Sequence, residues 1–300
     1  MMVVGCGSAG AGRVRDAVGC GSAGAGVCLM VVGDCSHLSA LSYRGPMSDE
    51  TPPAVLTEVR GRVLVITLNR PEAMNAINTA LAQGLLRAVE QLDGDPGLTV
   101  GVLTGAGRGF CAGMDLKAFA TEGGPVGMDV FIRNGSKKPL IAAIEGFALA
   151  GGLELALACD LLVAAKGVKI GIPEVGVGLF AAGGGLLRLP RVLPYGVAME
   201  LALTADPITA EQAHAYGLIA RLAEKGESLA VAIELAARIA KNAPLGVAAS
   251  KQLVRASLDA TEEEFWALQG PFMGTVFTSN DAKEGPRAFA EKRAPNWSGT

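Results

Sequence analysis

The sequence has no apolar run long enough to cross a bilayer, and few charges of either sign. A transmembrane helix needs about 20 consecutive apolar residues, and no such run occurs here. Charged residues make up 18% of the 300 residues and the formal net charge is −3. The chain therefore lacks the basic excess that nucleic acid or an anionic membrane surface attracts. With half of its residues hydrophobic, the composition predicts a globular protein without nucleic-acid or membrane partners.

Cysteine and histidine are also scarce. The chain has six cysteines and two histidines. Four of the cysteines lie before residue 46, and the remaining pair, Cys111 and Cys159, is no disulfide framework for a domain of this size. We therefore predict a reducing, cytoplasmic location. Only His37 and His214 are present, so a Cys–His nucleophile at Cys111 has no support, and no cluster of metal ligands is visible in the sequence.

A glycine-rich repeat stands at the start of the chain. The string "GCGSAGAG" occurs at residues 5–12 and again at 19–26, and each copy contains G-x-G-x-x-G. A dinucleotide site needs a strand before these glycines and a full helix after them, and neither pattern is present. We interpret the match as accidental and residues 1–46 as a disordered or artefactual extension. It precedes an α/β core over 47–240 and a helical C-terminal region over 241–300.

After Met47 the hydrophobic pattern alternates between strands and helices. "AVLTEV" and "RVLVITL" flank an Arg-Gly turn and predict a hairpin. "INTALAQGLLRAVEQLDGD" has helical spacing, and the runs "LTVGVLTG", "PLIAAIEG" and "LLVAA" are typical of buried strands. Repeated strand–helix units predict a parallel sheet with both faces covered. From about residue 185 the pattern is mostly helical, and we expect this part to pack on the core or on a partner subunit.

Two glutamates lie alone among apolar residues. Glu154 is in the first turn of the helix "GGLELALACD", and Glu174 follows Pro173 at the end of an extended segment. Acids in apolar surroundings have raised pKa values and are candidates for acid–base chemistry. The alternative for each is a structural salt bridge.

Two glycine-containing turns lead into predicted helices at "CAGMD" and "AGGLE". At such turns backbone N–H groups have no partner and attract negative charge. Two donors of this kind can stabilise an oxyanion, each at a gain on the order of 10²–10³ in rate. The alternative is that these glycines only allow tight turns.

Five segments, in this order, resemble the crotonase superfamily of enoyl-CoA hydratases and isomerases. They are "LNRPEAMNAIN", "GRGFCAGMDL", "IEGFALAGGLELALACD", "IGIPEVGVGL" and "DAKEGPRAFAEKRAP", which together span roughly residues 55–295. The resemblance implies an α/β fold, a spiral of repeated ββα units, whose helical C-terminal region is used in trimerisation. It also implies a homotrimer, or a hexamer made of two trimers.

The resemblance assigns site residues. The backbone amides of Met114 and Gly151 would form the oxyanion hole, and Glu154 and Glu174 would hold one water between them. Hydratases of the family often carry a lysine where this chain has Glu72, so a phosphate contact is missing or is supplied elsewhere. Contacts to coenzyme A or the bound substrate would come from Ala73, Met74, Ala112, Gly113, Asp115, Leu116, Gly152 and Lys292.

These residues imply a hydro-lyase that adds water across the trans-2 double bond of an acyl-CoA thioester to give a 3-hydroxyacyl-CoA. Coenzyme A is then part of the substrate, and no separate cofactor or metal is expected. Two alternatives stay open: a double-bond isomerase, which needs only one of the acids, and a non-catalytic acyl-CoA binding protein. Phe119 and Phe131 are candidates for the wall of the acyl tunnel, with Phe272 and Phe277 near it, although aromatics at helical spacing are more often core residues.

Overall fold

A computed structural model describes residues 52–300 of the chain. The predictions for residues 1–46, with their four cysteines, His37 and the repeated glycine motif, lie outside the described residues. Pro52–Thr300 form one unit, and the division predicted at residue 240 stays a prediction. No helix in this described part is long and apolar enough to span a membrane.

A six-stranded sheet forms the centre of the described chain. Its strand order is β1-β2-β3-β4-β6-β9; β1 and β2 pair antiparallel as the predicted hairpin, and the other neighbours pair in parallel. A smaller sheet has the order β5-β7-β8. The strands are β1 (Val55–Arg60), β2 (Val63–Leu68), β3 (Val100–Gly105), β4 (Leu140–Ile144), β5 (Phe147–Leu149), β6 (Leu161–Ala165), β7 (Lys169–Gly171), β8 (Ile208–Thr209) and β9 (Arg221–Ala223). The predicted mixed α/β fold with a parallel sheet is confirmed.

Helices cover both faces of this sheet. Eleven α-helices lie in residues 52–300: α1 (Thr79–Gly94), α2 (Leu116–Glu122), α3 (Met128–Asn134), α4 (Gly151–Leu157), α5 (Gly185–Val192), α6 (Tyr195–Thr204), α7 (Ala210–Ala215), α8 (Ser228–Ala240), α9 (Pro244–Ala256), α10 (Glu262–Phe277) and α11 (Asn280–Ala290). Two short 3₁₀ helices occur at Pro71–Ala73 and Pro173–Val177.

The core has two layers, one on each side of the sheet. On one side α8 places Ala232 and Ala236 against Val100 and Val102 of β3. On the other side the larger cluster includes Leu81, Leu85 and Leu92 of α1 and Leu153 of α4. Burial on both faces explains why β3 and β4 are continuous apolar runs rather than alternating ones.

The helical C-terminal part contributes two short strands that the pattern did not indicate. β9 adds to the large sheet beside β6, and β8 adds antiparallel to β7. Strands of two or three residues are too short to show a period of two, so no sequence pattern marks them.

The chain that follows β3 and β4 builds the site. These two strands are neighbours and parallel, so their carboxyl ends lie at the same edge of the sheet. The loop after β3 leads to α2, and the chain after β4 leads through β5 to α4. Ligand sites of parallel α/β sheets commonly lie at this edge.

Candidate active site

The backbone amide of Met114 lies in a turn whose other amides are occupied. The amide of Ile77 donates to the carbonyl of Gly113 (2.8 Å), and the amide of Asp115 donates to the carbonyl of Ile77 (3.0 Å). The Met114 amide between them has no acceptor among residues 52–300. Gly113 has φ +107°, a left-handed conformation that glycine adopts without strain. The turn therefore leaves one donor free for a ligand.

A second free donor begins α4. The amide of Gly151, the first helical residue, also has no acceptor in the described chain. It lies close to the first donor, because a Cβ built on Gly151 would be 3.6 Å from the nitrogen of Met114. The preceding residue, Ala150, has φ 51° and ψ −133°, a conformation that costs a non-glycine residue about 1–3 kcal/mol. Strain of this kind is found where the backbone is held for function.

Buried polar contacts hold this turn in place. The Cys111 thiol donates to the carbonyl of Asn75 (3.1 Å) and accepts from the amide of Gly113 (3.4 Å). Burial raises the pKa of Cys111 to about 12, so the thiol is a fixed hydrogen-bonding group rather than a nucleophile. The fully buried side-chain amide of Asn75 donates to the carbonyls of Ala106, Gly109 and Phe110.

Glu154 lies on α4, one turn from these donors, and is only 4% exposed. The amide of Gly185 donates to its Oε1 (2.9 Å). Burial raises the pKa of Glu154, whereas the amides of Gly185 and Gly183 and the charge of Arg188 lower it. Arg188 itself donates to the carbonyls of Gly183 and Ile132. The carboxyl group is thus desolvated but supported by donors that favour its ionised form.

Glu174 is the second residue of the 3₁₀ helix Pro173–Val177 and is half-buried. Its Oε2 is buried and has no hydrogen-bond partner among the described residues. Burial raises the pKa of Glu174, its own backbone amide lowers it, and the negative charge of Glu154 raises it further. A buried oxygen without a partner costs about 1–3 kcal/mol. In a native structure such an atom needs an explanation, and a role in binding or catalysis is one.

Neither glutamate forms a structural salt bridge. The ion pairs within residues 52–300 involve other acids. The alternative that the sequence left open for Glu154 and Glu174 is therefore not what the structure shows.

A cavity of about 840 Å³ brings the free donors and both acids together. Of the residues predicted for the site, its wall includes Ala112, Met114, Leu116, Gly151, Glu154 and Glu174. The volume is that of an ordinary small-molecule site. The catalytic groups predicted from the sequence thus face a single space.

Other predicted residues frame the cavity or lie away from its wall. The Asp115 side chain accepts from the amide of Ala118 (3.2 Å) and forms an ion pair with Arg70 (3.0 Å). Both contacts lower the pKa of Asp115, and the hydrogen bond from Ala118 has the larger effect. Gly152 packs on the carbonyl of Cys111, where a Cβ would be 2.2 Å away. The cavity wall does not include Gly113, Ala73, Met74 or Lys292; Ala73 and Met74 lie at the first 3₁₀ helix, and the exposed Lys292 follows α11.

The predicted tunnel aromatics do not line the cavity. Phe131 is 1% exposed and belongs to the core, whereas Phe119 is 43% exposed. Phe272 and Phe277 lie on α10, and the cavity wall does not include them. The alternative of a core residue therefore describes Phe131, whereas Phe119 and Phe277 are exposed and Phe272 is half-buried.

The cavity wall also includes residues that the sequence reasoning missed. Met128 and Ile132 come from α3, Phe180 from the loop after the second 3₁₀ helix, and Leu187 and Arg188 from α5. The run "GGGLLRLP" could have indicated α5, since three glycines before an apolar helix allow close backbone approach. α3 has only seven residues and carries no comparable signal.

Two adjacent amide donors beside the buried Glu154 and the half-buried Glu174 define a class of site, one that can stabilise a developing oxyanion and move protons next to it. Residues 58–300 match the family described as Enoyl-CoA hydratase/isomerase. The chain belongs to this family, and the resemblance to the crotonase superfamily is confirmed.

Individual relatives are similar over most of their length. An enoyl-CoA hydratase of Mycobacterium tuberculosis is 42% identical over 83% of this chain and 97% of its own. A carnitinyl-CoA dehydratase of Proteus mirabilis is 40% identical over 80% of this chain and 96% of its own. A crystal structure of an enoyl-CoA hydratase from M. tuberculosis H37Rv is 55% identical, with a TM-score of 0.79 over 83% of this chain and 100% of that one.

Proposed function

We propose that the protein is an enoyl-CoA hydratase that adds water across the trans-2 double bond of an acyl-CoA thioester. The single observation that carries the proposal is the presence of two acids in one cavity, the buried Glu154 and the half-buried Glu174, whose buried Oε2 has no partner among the described residues. Addition of water needs a group that takes a proton from the water and a group that gives one to the α-carbon. The names of the similar proteins agree with this chemistry.

The free donors set the position of the thioester. Its carbonyl oxygen accepts from the amides of Met114 and Gly151, which have no other acceptor in residues 52–300. Negative charge grows on this oxygen as the α,β double bond is attacked, so the two bonds strengthen toward the transition state. The β-carbon and the α-carbon then lie beside the two carboxyl groups.

The different surroundings of the two acids divide their roles. Donors from Gly185 and Gly183, together with the charge of Arg188, favour the carboxylate of Glu154, so Glu154 is the base that takes a proton from water. Glu174 has fewer such donors and feels the charge of Glu154, so it is the acid that protonates the α-carbon. The water oxygen bonds to the β-carbon, and the proton that Glu154 receives balances the one that Glu174 gives.

The direct test is the loss of the enoyl absorbance of crotonyl-CoA with the purified protein. We expect Glu154→Gln and Glu174→Gln each to lower kcat by about 10²–10⁴, with a thermal melt and butanoyl-CoA binding as controls for folding. Hydration that survives both substitutions would falsify the assignment.

The two alternatives predict other results in the same experiment. An isomerase converts a 3-enoyl-CoA without hydrating crotonyl-CoA and keeps this activity in Glu174→Gln. A binding protein holds the esters and turns over none of them.

We propose further that the chain forms a homotrimer or a pair of trimers in the cytoplasm. Its last helices and the turn between α9 and α10 expose large apolar side chains, among them Leu258, Trp266, Phe277 and Phe289, the last at 87% exposure, and exposed apolar patches are typical of subunit interfaces. The free thiols Cys111 and Cys159 agree with a reducing compartment. Light scattering on the purified protein gives the mass; a monomer at micromolar concentration contradicts the proposed assembly.

A further inference from the structure

A second cavity lies beside the first. It has a volume of about 430 Å³, and its wall contains no charged side chain. The side chains come from the second 3₁₀ helix, the loop that follows it, α5 and α6, and include Val175, Ala181, Leu189, Met199 and Leu203. Such a wall suits a hydrocarbon, because the Tyr195 hydroxyl is the one polar group among its side chains.

One thin wall separates the two cavities. The 3₁₀ helix places Glu174 in the active cavity and Val175 in the second, and α5 places Leu187 in the active cavity and Leu186 in the second. Phe180 belongs to the walls of both. The two spaces therefore share a partition.

Phe180 is placed to open this partition. Its neighbour Leu179 donates its amide to the carbonyl of Glu174 (3.0 Å), so the backbone next to Phe180 is tied to the 3₁₀ helix that carries the acid. The residue is 66% exposed, and exposed side chains change rotamer within nanoseconds. The residues that follow Phe180, Ala181 and Ala182, are small. Phe180 itself is not part of the buried core, so its ring can change rotamer without displacing core residues.

We propose that the second cavity receives the distal hydrocarbon of a long-chain 2-enoyl-CoA, and that Phe180 is the gate between the reacting carbons and this space. The inference rests on the proposed hydratase function and names its substrate class. An acyl chain that extends past Glu174 meets Phe180 in the same wall, and the apolar second cavity lies on the other side of this residue.

The expected gain in affinity follows from the hydrophobic effect. Each methylene that enters the second cavity tightens binding about fourfold, which is the equivalent of about 0.8 kcal/mol at 1.4 kcal/mol per tenfold. Dodecanoyl-CoA, which is saturated and does not react, is therefore expected to bind at least tenfold more tightly than butanoyl-CoA.

Filling the second cavity tests the proposal without touching the acids. Met199 and Leu203 line only this cavity and are 37% and 67% exposed, so Met199→Trp and Leu203→Trp have room to fold. We expect either variant to lose most of the preference for dodecanoyl-CoA in calorimetric titration and to bind butanoyl-CoA as before. Phe180→Ala is expected to raise kcat/KM for trans-2-dodecenoyl-CoA relative to crotonyl-CoA, and Phe180→Trp to lower it.

Two outcomes overturn the inference. The wild-type protein could bind both saturated esters equally, or both tryptophan variants could keep the preference for the long ester. If the variants in the second case also change the mass of the assembly, the second cavity is an interface between copies of the chain. If crotonyl-CoA is not hydrated, the proposed function fails, while the titrations with saturated esters still decide the role of the cavity.

Discussion

Replacing Gly152 by alanine tests how the two amide donors are held together. A Cβ at this position would lie 2.2 Å from the carbonyl oxygen of Cys111 and 2.7 Å from its carbonyl carbon. These are backbone atoms and cannot rotate away. To reach the 3.4 Å at which ordinary van der Waals contact begins, the start of α4 and the segment that leads to Met114 must separate by about 1.2 Å.

This separation moves the donors apart, because Gly151 precedes the substituted residue and Met114 follows Cys111. A misplacement of about 1 Å can cost about 10²-fold in rate, and the loss of one oxyanion donor costs about 10²–10³. We therefore expect Gly152→Ala to lower kcat for crotonyl-CoA about 10²-fold, or about 2.7 kcal/mol in activation free energy. The added methyl group also overpacks this site, which lowers the free energy of unfolding by about 1–3 kcal/mol. Calorimetry is expected to show a Tm lower by several degrees.

Gly196→Ala is the matched control. Gly196 is also the second residue of its helix, α6, but a Cβ there has no atom within 4 Å. Alanine in a helix is more stable than glycine by about 0.5–1 kcal/mol, so this variant is expected to melt slightly higher with unchanged kcat. A folded Gly152→Ala variant with wild-type kcat would refute the reasoning, since the donors would then not depend on this close approach.

Three further predictions follow from charge, burial and strain. Burial raises the pKa of Glu174 in the folded protein, so the stability of the wild type falls as pH rises from the unfolded-state pKa to the folded-state pKa. Glu174→Gln is therefore expected to melt a few degrees above wild type at pH 8 and to lose this advantage near pH 4. A variant that melts below wild type at pH 8 contradicts this expectation. Cys111, with its pKa raised to about 12 by burial, is expected to resist iodoacetamide until guanidinium unfolds the protein, as mass spectrometry can show; rapid native labelling would disprove the burial. Ala150→Gly is expected to raise the free energy of unfolding by about 1 kcal/mol, because the positive φ of residue 150 strains alanine but not glycine. Denaturant titration measures this free energy, and a lower value for the variant contradicts the strain at Ala150.

Elements with a strong local pattern could be predicted from the sequence. β3 and β4 are continuous apolar runs because the sheet is covered on both faces, and α1 shows its apolar stripe and its Asn78 cap, whose side chain accepts from the amide of Leu81. Glu154 and Glu174 stood out because a charge in an apolar segment contradicts the local pattern. Such signals are contained within a few residues, so no tertiary information is needed to read them.

The remaining features depend on contacts between distant parts of the chain. α2 and α3 have seven residues each, and helices of this length are stable only through tertiary packing. Phe180 looks like any exposed aromatic until the fold places it between two cavities. The side-chain amide of Asn75 donates to three carbonyls more than 30 positions away, and no local sequence pattern indicates hydrogen bonds to such distant residues.

Glycine shows why contacts rather than spacing decide function in this chain. A Cβ at Gly152 would meet backbone, and a Cβ at Gly183 would lie 2.5 Å from Oε2 of Glu154. In contrast, Gly246 and Gly274 have no atom within 4 Å of that position, although they stand in helices as Gly152 does. The sequence shows the same letter at all four positions. Within a helix, where φ is negative, only a close approach makes a glycine irreplaceable, so alanine substitution separates the helical glycines that shape the cavity from those that merely weaken a helix.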